Sequence, residues 1–177
     1  MMRDIESLRA ELGDYAKDIH LNLSSVLRED PNTGLTQGQI QGIALAAAYA
    51  TRQNEVTAAI MGTASAVLTA EEIQAAKAAA TIMAMNNVYY RFVHLSEDKE
   101  FARMPAGLRM NIIANSGIDK TTFELYSLAV SAINGCGMCI ESHAAAVQRE
   151  GISKAGVQHC VRIAAVVFAT AQAIVIR

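Results

Sequence analysis

The chain has 177 residues, 52% hydrophobic and 18% charged, with a formal net charge of -2. That length suits one sizeable core, or one core built from two similar halves. The charge balance leaves no electrostatic footprint for nucleic acid, and so apolar a composition implies an oligomer that buries extra surface. The opening Met1-Met2-Arg3-Asp4-Ile5-Glu6 has no apolar run of the kind a secretion signal carries. The longest apolar stretch, from Ile163 to Ile176, is shorter than a bilayer span and reads as a buried helix. A cytoplasmic protein that does not enter the membrane is the expectation, and in that compartment structural disulfides are rare.

Ala-rich segments with apolar residues at helical spacing dominate, and no run alternates as a strand does. Proline occurs only at Pro31 and Pro105. The pattern predicts an all-α fold in one domain over residues 1–177. Helices are predicted over 3–16, 18–27, 36–51, 54–66, 70–93, 107–114, 120–133, 136–149 and 154–175. Thr69-Ala70-Glu71-Glu72 has the form of a capping box, which fixes a helix start near residue 70. Asn134-Gly135 is a breaker that ends one helix and opens the next. It leaves Cys136 in the first turn, where free backbone N–H groups and the positive dipole end favour a thiolate. A thiol at that position is also expected to be the more exposed of the pair it forms with Cys139.

A weak internal repeat runs through the chain, approximately 34–93 against 117–175. Gly34-Leu35, Ile40-Gln41 and Leu45-Ala46 correspond to Gly117-Ile118, Phe123-Glu124 and Leu128-Ala129. Farther on, Leu68-Thr69 corresponds to Ile152-Ser153, each opening a long apolar helix. Such self-similarity predicts two related helical units packed together. Gln41, Gln53 and Val56 stand where the second unit has Glu124, Cys136 and Cys139, so chemistry is expected in the second unit alone.

Cys136, Cys139 and His143 follow one another at steps of three and four, which share one face of a helix. The cysteines are then close enough to form a disulfide, and the histidine reaches the second sulfur. The pair reads as a redox dithiol, as half of a zinc site, or as incidental. A structural zinc site needs four ligands, and only His143 has ligand spacing. His159 and Cys160 are adjacent and point to different sides of a helix. An intracellular C-x2-C beside a histidine favours redox chemistry, with no metal expected. His143 is then a general base for Cys139, or an acid for the leaving group; its other reading is an ordinary surface histidine. Glu124 lies among Phe123, Leu125, Tyr126 and Leu128. A carboxylate in such surroundings needs a partner, and His143 is the nearest candidate. Read alone, Glu124 is a solvated charge. Cys160 reads as a core thiol. Asn86-Asn87, Tyr89-Tyr90-Arg91 and Arg109-Met110-Asn111 read as caps, partners of buried carbonyls or interface linings, and less readily as the border of an active pocket.

These residues together resemble the AhpD family of alkyl hydroperoxidases, along nearly the whole chain. The resemblance is carried by Tyr15-Ala16-Lys17-Asp18-Ile19, by Met83-Ala84-Met85-Asn86-Asn87-Val88-Tyr89-Tyr90-Arg91 and by Gly107-Leu108-Arg109-Met110-Asn111. Its most specific part is the pattern E-x11-C-x2-C-x3-H from Glu124 through Cys136 and Cys139 to His143. The resemblance implies an all-α fold shared with the carboxymuconolactone decarboxylase group, usually assembled as a homotrimer. It implies an antioxidant enzyme that reduces organic hydroperoxides weakly by itself and reduces the disulfide of a partner AhpC peroxiredoxin. Electrons arrive from a dihydrolipoyl-carrying protein and dihydrolipoamide dehydrogenase, with no tightly bound cofactor. By family pattern Cys139 becomes the sulfenic acid, Cys136 is the proton donor and resolving thiol, and Glu124 with His143 forms a proton relay. Met138 departs from the pattern: well-known members carry a histidine there. Tyr126 stands where tryptophan is common. A zinc-binding or lyase-type protein on the same helical fold is the alternative.

Overall fold

Helices α3 (Gln37–Thr51) and α7 (Lys120–Asn134) lie side by side at the centre, and the other long helices pack around them. In α3 every residue from Ile40 to Ala48 is buried, and in α7 the run from Leu125 to Ser131 is buried too. A helix apolar all round belongs inside, and the alanines of α3 let its neighbours approach from every side. A computed structural model describes residues 4–177 as helices joined by turns, with no strand among them, so the chain is all-α. The remaining α-helices are α1 (Ile5–Ala10), α2 (Lys17–Val26), α4 (Asn54–Ala64), α5 (Ala70–Leu95), α6 (Asn111–Ala114), α8 (Gly137–Arg149) and α9 (Lys154–Val175).

Local chemistry sets the boundaries. Thr69 and Glu72 form the capping box that starts α5, and Thr36 with Gln39 does the same for α3. Gly135 ends α7 with φ of 67°, a left-handed turn that glycine adopts without steric cost. Its N–H reaches the Ala132 carbonyl, and the Cys136 N–H reaches the Ser131 carbonyl, each at 3.2 Å. The chain thereby reverses within two residues, and α8 returns against α7.

Two predicted helices differ. The span 3–16, whose residue 3 lies outside the described residues, is α1 followed by a single 3-10 turn at Asp14–Ala16. Gly13 weakens a continuous helix there. The break lets α1 fold back, so that Arg9 Nε donates to the His20 carbonyl at 3.1 Å. The span 107–114 reduces to the four residues of α6, because Gly107 sits at φ of 65° and the chain around Pro105 runs in turns. Helix α9 is longer than its apolar run suggests. By length and composition it is able to cross a membrane, yet half of that window is buried against the protein's own core.

The corresponding helices of the two halves start at nearly constant spacing. Gln39 Nε2 donates at 3.3 Å to the Thr122 hydroxyl, 83 residues on. Helices α3 and α7 each have 15 residues. Arg52, at φ of 59°, occupies in the α3–α4 turn the left-handed position that Gly135 holds between α7 and α8.

Where α3 meets α7, a Cβ built on Gly42 would overlap the ring and hydroxyl of Tyr126. Both residues are buried. Gly42→Ala gains helix propensity of about 1 kcal/mol but forces the two central helices apart, an overpacking that costs about 1–3 kcal/mol or more. A lower Tm is expected for Gly42→Ala, with part of the loss recovered when Tyr126→Leu is added. An unchanged Tm in the single variant would remove this contact from the account of helix spacing.

Candidate active site

Three helices converge on the chemistry. Helix α7 carries Glu124, α8 carries Cys139 and His143 with Cys136 at its N-cap, and α5 closes the opposite wall. Cys136 and Cys139 are joined in a disulfide, with their Cα atoms 5.3 Å apart. Cys136 thus stands at the N-cap of α8, one residue before the first turn. Its sulfur accepts from the Cys139 N–H at 3.3 Å, which puts it in the role that a Ser or Asp side chain fills at other helix starts. The disulfide therefore sits where the free N–H groups and the dipole of α8 are aimed.

Glu124 and His143 make the shortest polar contact of the site, Nδ1 to Oε2 at 2.6 Å, with both side chains only 12% exposed. A carboxylate only accepts, so the Nδ1 proton lies between them. The basic atom of a neutral imidazole is then Nε2. That atom is 3.3 Å from the thioether sulfur of Met83 on α5. Among the described residues the imidazole is hydrogen-bonded through Nδ1 to Glu124, while Nε2 only touches the Met83 sulfur and makes no hydrogen bond to the sulfur of Cys139. With the two cysteines oxidised there is no thiol for it to meet.

Cys139, Glu124 and His143 line one cavity of about 350 Å³. Cys139 is 6% exposed and Cys136 fully buried, so Cys139 is the sulfur within reach of a visitor. The helix-start position points to Cys136 as the more exposed thiol. Burial of the N-cap sulfur beneath α8 reverses that order. Met138 also lines the cavity, adding a neutral thioether. Lys120 and Arg149, both exposed, stand at its edge.

The α5 wall is not visible in the cysteine motif. Met83, Asn86 and Tyr90 recur at helical spacing and all three face the cavity. Their signal is the polar cluster Asn86-Asn87 with Tyr89-Tyr90 inside a long apolar helix. Of the pair, Asn87 points away: its Nδ2 donates to the Ser131 hydroxyl and its Oδ1 accepts from Asn134 Nδ2, both at 2.9 Å. Arg91 Nη1 donates to the Asn134 carbonyl at 2.7 Å, which ties α5 to the turn just before Cys136. Cys160 is remote from the cavity and fully buried. Its thiol donates to the Leu125 carbonyl at 3.3 Å, and burial pushes its pKa up. Among the described residues no three His, Cys, Asp or Glu side chains are grouped to hold a metal ion.

This constellation can be set beside known proteins. The model of the carboxymuconolactone decarboxylase family matches residues 99–176, which take in α7, α8 and α9 whole. An alkyl hydroperoxide reductase AhpD of Coxiella burnetii (strain Dugway 5J108-111) is 56% identical over 172 residues, covering 97% of each chain. The chain belongs to the AhpD family. Two further AhpD proteins, from Rhodospirillum centenum and Maricaulis maris, are each 55% identical over 167 residues. These alignments cover 94% of this chain, and 88% and 95% of the respective relatives. AhpD-family membership thus rests on the whole length, including α1 and α2, and not on the cysteine motif alone.

The Glu124–His143 bond has a measurable consequence. A hydrogen bond to a charged group contributes about 1.5–3 kcal/mol, and each 1.4 kcal/mol is about a factor of ten. Glu124→Gln keeps the shape and removes the charge. Alkylation of reduced Cys139 by iodoacetamide near neutral pH is expected to slow by about 10–100-fold. An alkylation rate equal to wild type would mean that Glu124 only fills space.

Proposed function

We propose that this AhpD-family protein is an antioxidant thiol peroxidase that reduces organic hydroperoxides through a Cys136–Cys139 dithiol–disulfide cycle. The observation that carries the reading is a sulfur pair at a helix start, with its reachable member in one cavity with a carboxylate-bound histidine. Glu124 holds Nδ1–H, which leaves Nε2 to take the proton of the Cys139 thiol. The thiolate attacks the terminal oxygen of the hydroperoxide and the O–O bond breaks. The alkoxide takes the proton from His143 and leaves as the alcohol, and Cys139 is left as the sulfenic acid. The Cys136 thiol condenses with it, forming the disulfide and releasing water.

A dithiol must then restore the pair. The reductant proposed is a dihydrolipoyl group on a carrier protein, recharged by dihydrolipoamide dehydrogenase. One of its thiolates attacks a sulfur of the disulfide, and its second thiol resolves the mixed disulfide. By the same exchange the reduced pair passes electrons to the disulfide of an AhpC-type peroxiredoxin. The setting proposed is cytoplasmic, where such dithiol carriers operate and an exchangeable disulfide is regenerated.

The test is hydroperoxide-dependent NADH oxidation in the presence of dihydrolipoamide dehydrogenase and lipoamide. Wild type is expected to turn over, Cys139→Ser to be inactive, and His143→Gln to fall by about 10²–10⁴-fold, the usual contribution of one acid–base group. No turnover, with both cysteines still reduced after peroxide, would overturn the reading in favour of lyase chemistry on the same fold.

We also propose a homotrimer. Val88, Phe92 and Leu95 form an apolar stripe along the outer face of α5, each more than half exposed. A face of that kind is covered in most soluble proteins. Sedimentation equilibrium is expected to give three times the chain mass of 18.9 kDa. Phe92→Glu is expected to give the monomer mass, and a monomeric wild type would end the proposal.

A further inference from the structure

Every hydrogen-bonding side chain that α5 turns toward the active cavity is occupied, except one. Met83 faces His143 Nε2, and the Tyr90 hydroxyl donates to the Met110 thioether at 3.9 Å. Glu124 and His143 are joined to each other. Asn86 stands between Met83 and Tyr90 on the same stripe, 95% buried by its 5% exposure, and lines the same cavity as Cys139. Its Oδ1 has no hydrogen-bond partner among the described residues. Buried carbonyl oxygens are nearly always satisfied, and one left open calls for a reason. The adjacent Asn87 supplies the contrast: its amide donates to Ser131 and accepts from Asn134, bracing α5 against α7.

We propose that Asn86 binds the hydroperoxy group of the substrate and turns its terminal oxygen toward Cys139. The inference rests on the peroxidase reading above and deepens it. Oδ1 is itself buried in this structure; a turn of the side chain brings it into the cavity, where the O–H of R–O–O–H donates to it. Turning the amide by 180° exchanges its acceptor and donor, and the hydroperoxy group, which carries both an O–H and lone pairs, fits either orientation. Attack by the Cys139 thiolate moves the O–H unit onto sulfur while the alkoxide takes the His143 proton. The same O–H stays on Asn86 as the sulfenic acid, and leaves as water when the Cys136 thiol closes the disulfide. Nothing in this contact bears on thiol–disulfide exchange, in which no oxygen moves. Asn86 is therefore specific to the peroxide half of the cycle.

That division gives the test. Reduced wild type and Asn86→Leu are mixed in single turnover with cumene hydroperoxide, and separately with the small disulfide DTNB. Asn86→Leu is expected to react with the peroxide at least about tenfold more slowly, the effect of one hydrogen bond of ordinary strength. Its reaction with DTNB is expected to stay within about twofold of wild type, because sulfur exchange makes no use of the amide. Replacing an unpartnered buried amide by an apolar group of equal size is also near neutral or stabilising, so Tm is expected to hold or rise. Equal losses with both reagents, or a lower Tm accompanying the loss, would make Asn86 a structural residue and overturn the proposal. An undiminished peroxide rate would do the same. Should Asn86→Leu fail to fold, Asn86→Ala in the same pair of reactions decides by the same ratio. A wild type that forms no disulfide with cumene hydroperoxide, while still reacting with DTNB, would instead overturn the peroxidase reading.

Discussion

A carboxylate on a helix that is otherwise core is the constraint around which the second half of this protein is built. Helix α7 is buried from Thr122 to Ser131 apart from Glu124, which lies in that stretch with 12% of its side chain exposed. A charge so placed is costly unless paired. His143 answers it from α8, which the left-handed turn at Gly135 brings back alongside α7. The partner that makes Glu124 tolerable also acquires its orientation from it. The imidazole is held at Nδ1, its Nε2 is aimed at α5, and a base is kept there only if the wall of α5 leaves that lone pair unprotonated. Met83 does so. A thioether has no proton to donate, so it leaves the lone pair of that nitrogen open to a thiol. The arrangement leaves the base free to change partner when the disulfide is reduced.

The first half of the chain shows the same scaffold without this demand. Gln41 occupies on α3 the place that Glu124 has on α7, and it is neutral and buried, at the edge of a separate pocket. Gln53 caps α4 as Cys136 caps α8, its side chain accepting from the Glu55 N–H at 2.8 Å. The geometry of a helix N-cap therefore recurs with an amide in place of a thiol. The cap alone does not make a reactive centre. The second half adds a sulfur three residues on and a histidine four beyond that.

The features written in local chemistry are legible in the sequence. The capping box at Thr69, the breaker at Asn134-Gly135 and the face shared by Cys136, Cys139 and His143 each depend on residues within one or two turns of one another. So does the burial of Cys160 within an apolar stripe of α9. The apolar flanks of Glu124 even point to His143. What local pattern does not carry is the far wall. Met83 is 60 residues from His143, and the contact exists only because α5 packs against both α7 and α8. Asn86 and Asn87 are alike in sequence, and only the packed fold turns one into a brace and the other into a cavity group. The order of accessibility of the two sulfurs escapes the sequence for the same reason. A dipole argument ranks them by position on α8, whereas burial ranks them by what α8 lies upon.

The burial order bears on how one cavity serves two reactions. On the proposed cycle, peroxide must meet a thiolate and the returning dithiol must meet the disulfide. Cys136 has no exposed surface, so both visitors approach Cys139. Attack on Cys139 by the dithiol expels Cys136 as the leaving thiolate, at the N-cap of α8, where the backbone N–H of Cys139 already points at its sulfur at 3.3 Å. Free N–H groups and the dipole stabilise negative charge there, and a stabilised thiolate is the better leaving group. The helix start thus serves Cys136 as leaving group, and the histidine serves Cys139 as nucleophile. Helix dipole and histidine look like rival activators of one thiol when read from sequence. On the proposed cycle they act on different sulfurs, in different halves of it. Selectivity between the visitors then falls to groups that touch an oxygen and ignore a sulfur.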